Sequence, residues 1–376
     1  MKIGYFTETY LPQTNGVVES INNFGEELVK RGHEVHIFAP NPGIKEYKGM
    51  QIHSVPSIKF KPYPDYKIAI PLKVKIPKLD IVHTHGPFSM GVYGLYTAKK
   101  QKIPAVSTYH TLLSEYVSYL SKYGERITKK IAEEYCEYHY RRYDSLITPS
   151  NYMKKNLSKK LQAKTTTIPS PIKNNLKPVP NAKQKLKLQK YKKIYLNLGR
   201  ISPEKDIDTL LKAAPYFIKK NEILLIAGKG PVLNELKKQA KQLKLKNKIK
   251  FLGYIPEETK TTYYTAADLF ITASKSETEG LVAIEAQACG TPVIAPEITA
   301  MPELITEGEN GYLFTPDNYK ELARIINYHK FPKTMKNKAI KKAKQYSIKN
   351  STDKLEKLYE KTIKEKKHKT KWRIFK

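Results

Sequence analysis

Glu277 and Glu285, with seven residues between them, are the pair whose types and spacing best suit a ligand. Carboxylates accept charge-assisted hydrogen bonds from hydroxyl groups. Two of them so placed can hold hydroxyls along one extended ligand. Gly280 lies between them, where a missing side chain lets a ligand approach the backbone. A helix starting after Gly280 offers free N–H groups to a phosphate or sugar oxygen. The same glutamates also fit a solvated loop, since acids are favoured near a helix N-terminus. Other candidates are scattered. Arg200 and Lys205 flank one loop, Asn15 and Gly16 form another, and His85 and His110 close two apolar runs.

Elements must bring these residues together. Residues 267–272 read as a strand, and Leu281, Ile284 and Ala288 recur at helical spacing. Gly290 suits a helix stop, Pro292 cannot continue the helix, and Val293 opens the next strand. Such a strand–loop–helix–strand unit puts its polar loop at the carboxyl edge of a parallel sheet, where open α/β sheets bind ligands. Residues 194–200 form a similar strand before the Arg200 to Lys205 loop, and a helix starts at Ile207. At the start of the chain, a strand over 2–6, a helix carrying Val17, Ile21, Phe24 and Leu28, and a strand over 34–39 make a right-handed crossover. Its helix begins at Gly16, a second anion site in principle. His85 and His110 end successive buried strands on the same edge. Gly228 and Gly230 match two glycines of a dinucleotide fingerprint, but Leu233 replaces the third, which excludes a nicotinamide site.

At 376 residues the chain has room for two domains. Prolines 169, 171, 178 and 180 and a lysine run over 183–193 mark the linker, so the domains are expected at 1–172 and 173–346, with residues 347–376 packing back on the first. A formal net charge of +33 calls for an anionic partner, yet only seven of the basic residues are arginines. That balance argues against bidentate base or phosphate readout and suits a diffuse attraction to a membrane surface. No helix-turn-helix, zinc or RNA-binding signature supports nucleic acid.

Lys59, Lys61, Lys67, Lys73, Lys75 and Lys78 are interleaved with aromatic, aliphatic and proline residues, as in an exposed loop or a headgroup-layer segment. Residues 114–143 read as one tyrosine-rich helix, core-facing or interfacial, and residues 346–364 as a final helix. Beyond it, Trp372 and Arg373 sit in a basic run that reads as a solvated tail or as a membrane anchor. Two distant cysteines match no metal spacing and suit a reducing compartment. The N-terminal apolar run is too short for a signal peptide, and no stretch is long enough for a spanning helix, so membrane contact is expected to be peripheral.

Taken in order, the Gly16 loop, His110, Arg200 with Lys205, and Glu277 with Glu285 resemble the retaining glycosyltransferases of family 4. The segments 66–71, 83–91 and 108–111 are similar to the bacterial 1,2-diacylglycerol glucosyltransferases within it. The resemblance implies a GT-B fold, two Rossmann-like domains facing a cleft. It implies that Glu277 and His110 contact the donor sugar and that Arg200 and Lys205 bind its diphosphate near Gly16. By the same resemblance the backbone of Gly280, Leu281 and Val282 holds sugar hydroxyls or phosphate. Glu285 binds the ribose, and Tyr254 and Ile255 flank the base.

The expected reaction moves a hexose, glucose from UDP-glucose, to a lipid acceptor at the cytoplasmic face of the membrane. No bound cofactor or metal is expected to be needed. Related enzymes with nearly the same donor site use mannose or galactose donors or other acceptors. The rival classes are a basic nucleic-acid-binding protein, resting on charge alone, and a non-catalytic sugar-nucleotide binder.

Overall fold

Short apolar strands that alternate their side chains between two covered faces build both halves of the protein. The computed structural model describes residues 1–13, 15–59, 67–70, 74–110, 125–158, 161 and 164–374. Two compact units are present: Met1–Pro171 with Ile348–Lys376, and Ile172–Ser347.

The first unit carries strands β1 (Lys2–Phe6), β2 (Glu34–Pro40), β3 (Glu46–Tyr47), β4 (Met50–Val55), β5 (Ser57–Lys59), β6 (Lys67–Ala69), β7 (Ile81–Thr84), β8 (Ala105–Thr108), β9 (Ser145–Thr148) and β10 (Thr165–Thr167). Eight of them form one sheet in the order β10-β9-β8-β7-β1-β2-β4-β3, parallel except for the β3–β4 pair. Strands β5 and β6 pair antiparallel on their own. Ile3 and Tyr5 enter one core and Phe6 the other, and Ile81 and Val82 split the same way. This period of two with both faces covered is what a doubly wound sheet requires.

The second unit carries β11 (Lys193–Leu198), β12 (Glu222–Ala227), β13 (Ile249–Gly253), β14 (Leu269–Ile271), β15 (Val293–Pro296) and β16 (Gly311–Phe314). They form an all-parallel sheet in the order β13-β12-β11-β14-β15-β16. Every residue of β12 is buried, Leu224 and Ile226 on one face and Ile223 and Leu225 on the other. The unit opens and closes at one place, where the Ile172 N–H donates to the Tyr346 carbonyl at 2.9 Å.

Several expectations change. The segment after Pro171 is no structureless linker: Leu176 and Leu188 are buried in the second core, and Lys183 bonds Asp268 at 2.8 Å. Of the long tyrosine-rich helix, Glu125–Tyr140 is helical, and residues 111–124 lie outside the described residues. The final helix runs from Ile348 to Ile374, ten residues beyond its expected end. The extension is mostly Lys and other residues that tolerate a helix well. No helix among the described residues is long and apolar enough to cross a membrane.

This last helix is part of the first core. Leu355, Leu358 and Tyr359 are buried there, and Arg31 bonds Glu27, Asp353 and Glu356. The Tyr359 hydroxyl, fully buried, lies 2.6 Å from His83 Nδ1. Tyr359→Phe therefore strands a buried ring nitrogen, at a cost of about 1–3 kcal/mol. Urea unfolding of the full chain should show that loss; an unchanged midpoint would mean the helix contributes nothing through this bond.

Candidate active site

In each sheet the chain starts in the middle, winds out one way, then returns to the other side. The reversal falls between β1 and β7 in the first unit and between β11 and β14 in the second. Ligands of open α/β sheets bind outside the carboxyl ends of strands at such a switch point. The candidate residues are concentrated in these loops.

In the second unit, Arg200 follows β11. It is exposed and has no hydrogen-bond or ion-pair partner among the described residues. A short 3-10 turn, Pro203–Lys205, aims Lys205 at the loop after β14, where its Nζ donates to Glu277 Oε1 at 2.6 Å. Both side chains are largely buried, 25% and 12% exposed, so this pair is screened far less than a surface one. The loops are stitched again by the Lys275 N–H on the Glu204 carbonyl at 2.9 Å and by Lys275 Nζ 3.4 Å from Asp206.

Gly280 has φ 78° and ψ 42° and precedes the helix Leu281–Ala288. A Cβ there would lie 2.4 Å from Met301 Cε and 2.8 Å from Leu304 Cδ1. The glycine is thus required by backbone conformation and by packing. The helix has no side-chain cap, and the N–H groups of Leu281 and Val282 have no acceptor among the described residues. Two such N–H groups and the positive end of the helix dipole are suited to a phosphate or sugar oxygen.

Glu285 is not free. It accepts from Lys260 Nζ at 2.8 Å and from the buried Tyr264 hydroxyl at 2.8 Å. Burial keeps the Tyr264 phenol protonated and so a donor. Neither partner was legible as a site residue, because both stand on a separate helix, Glu257–Ala266. Tyr254 is 59% exposed, with Lys229 Nζ 5.8 Å over its ring, and Ile255 is half-buried. Gly228 and Gly230 serve close packing: a Cβ on them would meet the Gly199 and Ile201 carbonyl oxygens at 1.8 and 1.9 Å.

In the first unit, the helix Gly16–Lys30 is capped by Asn15, whose Oδ1 accepts from Val17 N at 3.1 Å and Val18 N at 3.0 Å. The protein's own cap thus occupies two donors expected to be open to an anion. His110 is half-buried, and its Nε2 lies 3.0 Å from His85 Nδ1. His83 stacks on His85 with centroids 4.2 Å apart. Burial keeps all three neutral, pushing His83 down to about 3, His110 to about 4 and His85 well below its usual value. Glu8, missed in the sequence, follows β1 and is buried. It accepts from Met90 N at 2.6 Å and Ser89 Oγ at 3.0 Å, and burial raises its carboxyl to about 7. Among the described residues no group of three or more His, Cys, Asp or Glu could hold a metal ion.

Of the basic candidates, Lys75 and Lys78 are exposed, and Lys67 bonds the Asn41 carbonyl at 3.3 Å. Lys61 and Lys73 lie outside the described residues, as does the side chain of Lys59. Trp372 and Arg373 are in the last helix, and their side chains also lie outside the described ones.

Two family models match the chain: "Glycosyltransferase Family 4" over residues 14–175 and "Glycosyl transferases group 1" over residues 179–346. The chain is 37% identical to the alpha-monoglucosyldiacylglycerol synthase of Streptococcus pneumoniae, covering 84% of this chain and 75% of that protein. The chain belongs to the family 4 glycosyltransferases. The transferase is also 31% identical to the synthase of the same name from Acholeplasma laidlawii, over 89% and 90% of the two chains. Its fold is GT-B. It is similar to the solved structure of Anabaena HepE in complex with UDP, with a TM-score of 0.77, 19% identity, and 96% and 100% of the two chains covered.

The neutral histidines make the stability of the transferase depend on pH. An unfolded histidine titrates near 6.5, above the folded values of His83 and His110. Their contribution is complete above about 6.5 and is lost as pH falls toward about 4. Glu8 acts in the opposite direction: its contribution is present below 4.5 and lost as pH rises through about 7. The urea midpoint should fall on acidification from pH 6.5, and the fall should be shallower in His110→Asn. Equal slopes in the two proteins would mean that His110 is not held neutral by the fold.

Proposed function

We propose that this transferase moves glucose from UDP-glucose to the hydroxyl of a diacylglycerol-type lipid at an anionic membrane surface, with retention at the anomeric carbon. The observation that carries the reading is the similarity to two synthases named for monoglucosyldiacylglycerol. HepE, a protein of similar fold solved in complex with UDP, supports UDP as the nucleotide.

The chemistry follows from where charge develops. As the glycosidic bond breaks, the anomeric carbon becomes oxocarbenium-like and the leaving diphosphate gains negative charge. Preorganised donors aimed at that charge lower the barrier most. Arg200 supplies a cation with no competing partner among the described residues. Lys205 supplies a second, and the Leu281 and Val282 N–H groups supply neutral donors. The charge is met by the chain's own groups, and the reading calls for no metal. Glu277, held in place by its pair with Lys205, retains acceptor positions for a sugar hydroxyl. Glu285 in turn holds the ribose between Lys260 and Tyr264. Tyr254 and Ile255 flank the base, and Gly16 and His110 complete the donor contacts.

The membrane part of the reading rests on the +33 charge and on Lys75 and Lys78, which project into solvent. The basic end contributes less than its composition suggests. Lys366 is held by both oxygens of Asp144 at 3.0 Å, and Glu365 is held by Lys164 at 2.8 Å. Lys367, which is exposed, remains for an anionic surface.

Incubation with equal UDP-glucose, UDP-galactose and GDP-mannose, and diacylglycerol in vesicles of graded anionic content, tests the whole reading. Mass spectrometry should find hexosyl-diacylglycerol, isotope-labelled glucose should be its source, and yield should rise with anionic lipid and fall with salt. Arg200→Ala and Lys205→Ala should each lower turnover by about 10²-fold or more. Incorporation of mannose alone would overturn the donor, product independent of anionic lipid would overturn the surface, and near-native turnover in both variants would overturn the diphosphate site.

A further inference from the structure

His85 closes β7 and is 5% exposed. Its Nδ1 faces His110 Nε2 at 3.0 Å. Its other nitrogen, Nε2, is sealed from solvent and has no hydrogen-bond partner among the described residues. The ring cannot easily turn. Tyr5 meets it edge-on at 5.0 Å, and His83 lies under it at 4.2 Å. His83 is itself fixed through both nitrogens, to the Tyr359 hydroxyl at 2.6 Å and Thr108 Oγ1 at 2.7 Å.

Burial keeps His85 and His110 neutral, so each ring carries one N–H. One hydrogen lies between the rings, and two arrangements are open. If His110 Nε2–H donates, His85 must carry its own hydrogen on the sealed Nε2, a buried donor with no acceptor. If His85 Nδ1–H donates, Nε2 is a bare lone pair. Orphaned buried N–H groups are the rarer and costlier of the two.

We infer that His85 is a positioning residue whose Nδ1–H donates to His110 Nε2 and so holds His110 in its Nδ1–H form. Free neutral histidine favours the opposite tautomer, so the fold imposes this one. His110 Nδ1 has no hydrogen-bond partner among the described residues, and the ring is part-exposed. Its N–H is then a fixed donor for a hydroxyl oxygen of the donor sugar. This use rests on His110 contacting the sugar as proposed above; the tautomer itself does not.

The test uses the full chain labelled with ¹⁵N-histidine. Two-bond proton–nitrogen spectra at neutral pH, assigned by the signal lost in His110→Asn, should show His110 protonated on Nδ1. His85→Asn, whose amide N–H replaces the Nδ1–H, should keep that pattern and transfer glucose at close to the wild-type rate. His85→Leu should release the preference and lower kcat roughly ten-fold, the worth of one hydrogen bond, while UDP affinity is kept. An Nε2-protonated His110 in the wild type overturns the inference, and so does a His85→Asn spectrum matching that of His85→Leu. If His85→Leu does not fold, the wild type and His85→Asn decide. Unimpaired transfer by His110→Leu, which has no N–H to donate, overturns the sugar contact and leaves the tautomer to the spectra.

Discussion

The 2.6 Å bond between Lys205 and Glu277 joins two loops through residues 72 positions apart in the chain, and the candidate site of the second unit is arranged around it. It exists because β11 and β14 are neighbours in register, Tyr195 beside Leu269 and Leu196 beside Phe270. Parallel pairing sends both following loops to one edge. On the other side of β11, Gly228 and Gly230 let the next loop pack directly on the backbone at Gly199 and Ile201. The position of Lys205 is therefore set from two directions before any ligand is present. A largely buried carboxylate beside a largely buried ammonium needs such bracing, because removing either partner leaves the other poorly solvated.

The first unit uses a different device. Its edge histidines are neutral, and stacked imidazoles, tyrosines and a carboxyl raised to about 7 stand where the second unit has an ion pair. Desolvation is the common cause. The last helix supplies part of it: Tyr359 stands edge-on to His83, with ring centroids 5.7 Å apart, and bonds its Nδ1. A segment far along the chain thus adds to the burial that keeps His83 neutral.

The two sheets were legible because buried parallel strands are short apolar runs bounded by Gly, Pro and polar residues, as in β12 and β15. The carboxyl-edge location of Arg200, Lys205, Glu277 and His110 follows from that pattern. The Lys260 and Tyr264 partners of Glu285 were not legible, since they meet it only through helix packing. In the sequence Gly280 reads as room for a ligand, whereas its positive φ and its contact with Met301 are tertiary facts. The Asn15 cap was available in the sequence, as asparagine before an amphipathic helix is a strong start signal. The buried segment at 172–188 was hidden by its prolines and lysines, because Leu176 and Leu188 are too widely spaced to show a period.

The central claim is a division of labour along one donor, with Glu277 at the sugar and Glu285 at the ribose. Titration calorimetry with UDP, which lacks the sugar, separates them most directly. Glu277→Gln should bind UDP nearly as the wild type does, while Glu285→Ala should bind it clearly more weakly. Equal weakening in the two variants, or none in Glu285→Ala, would contradict the account.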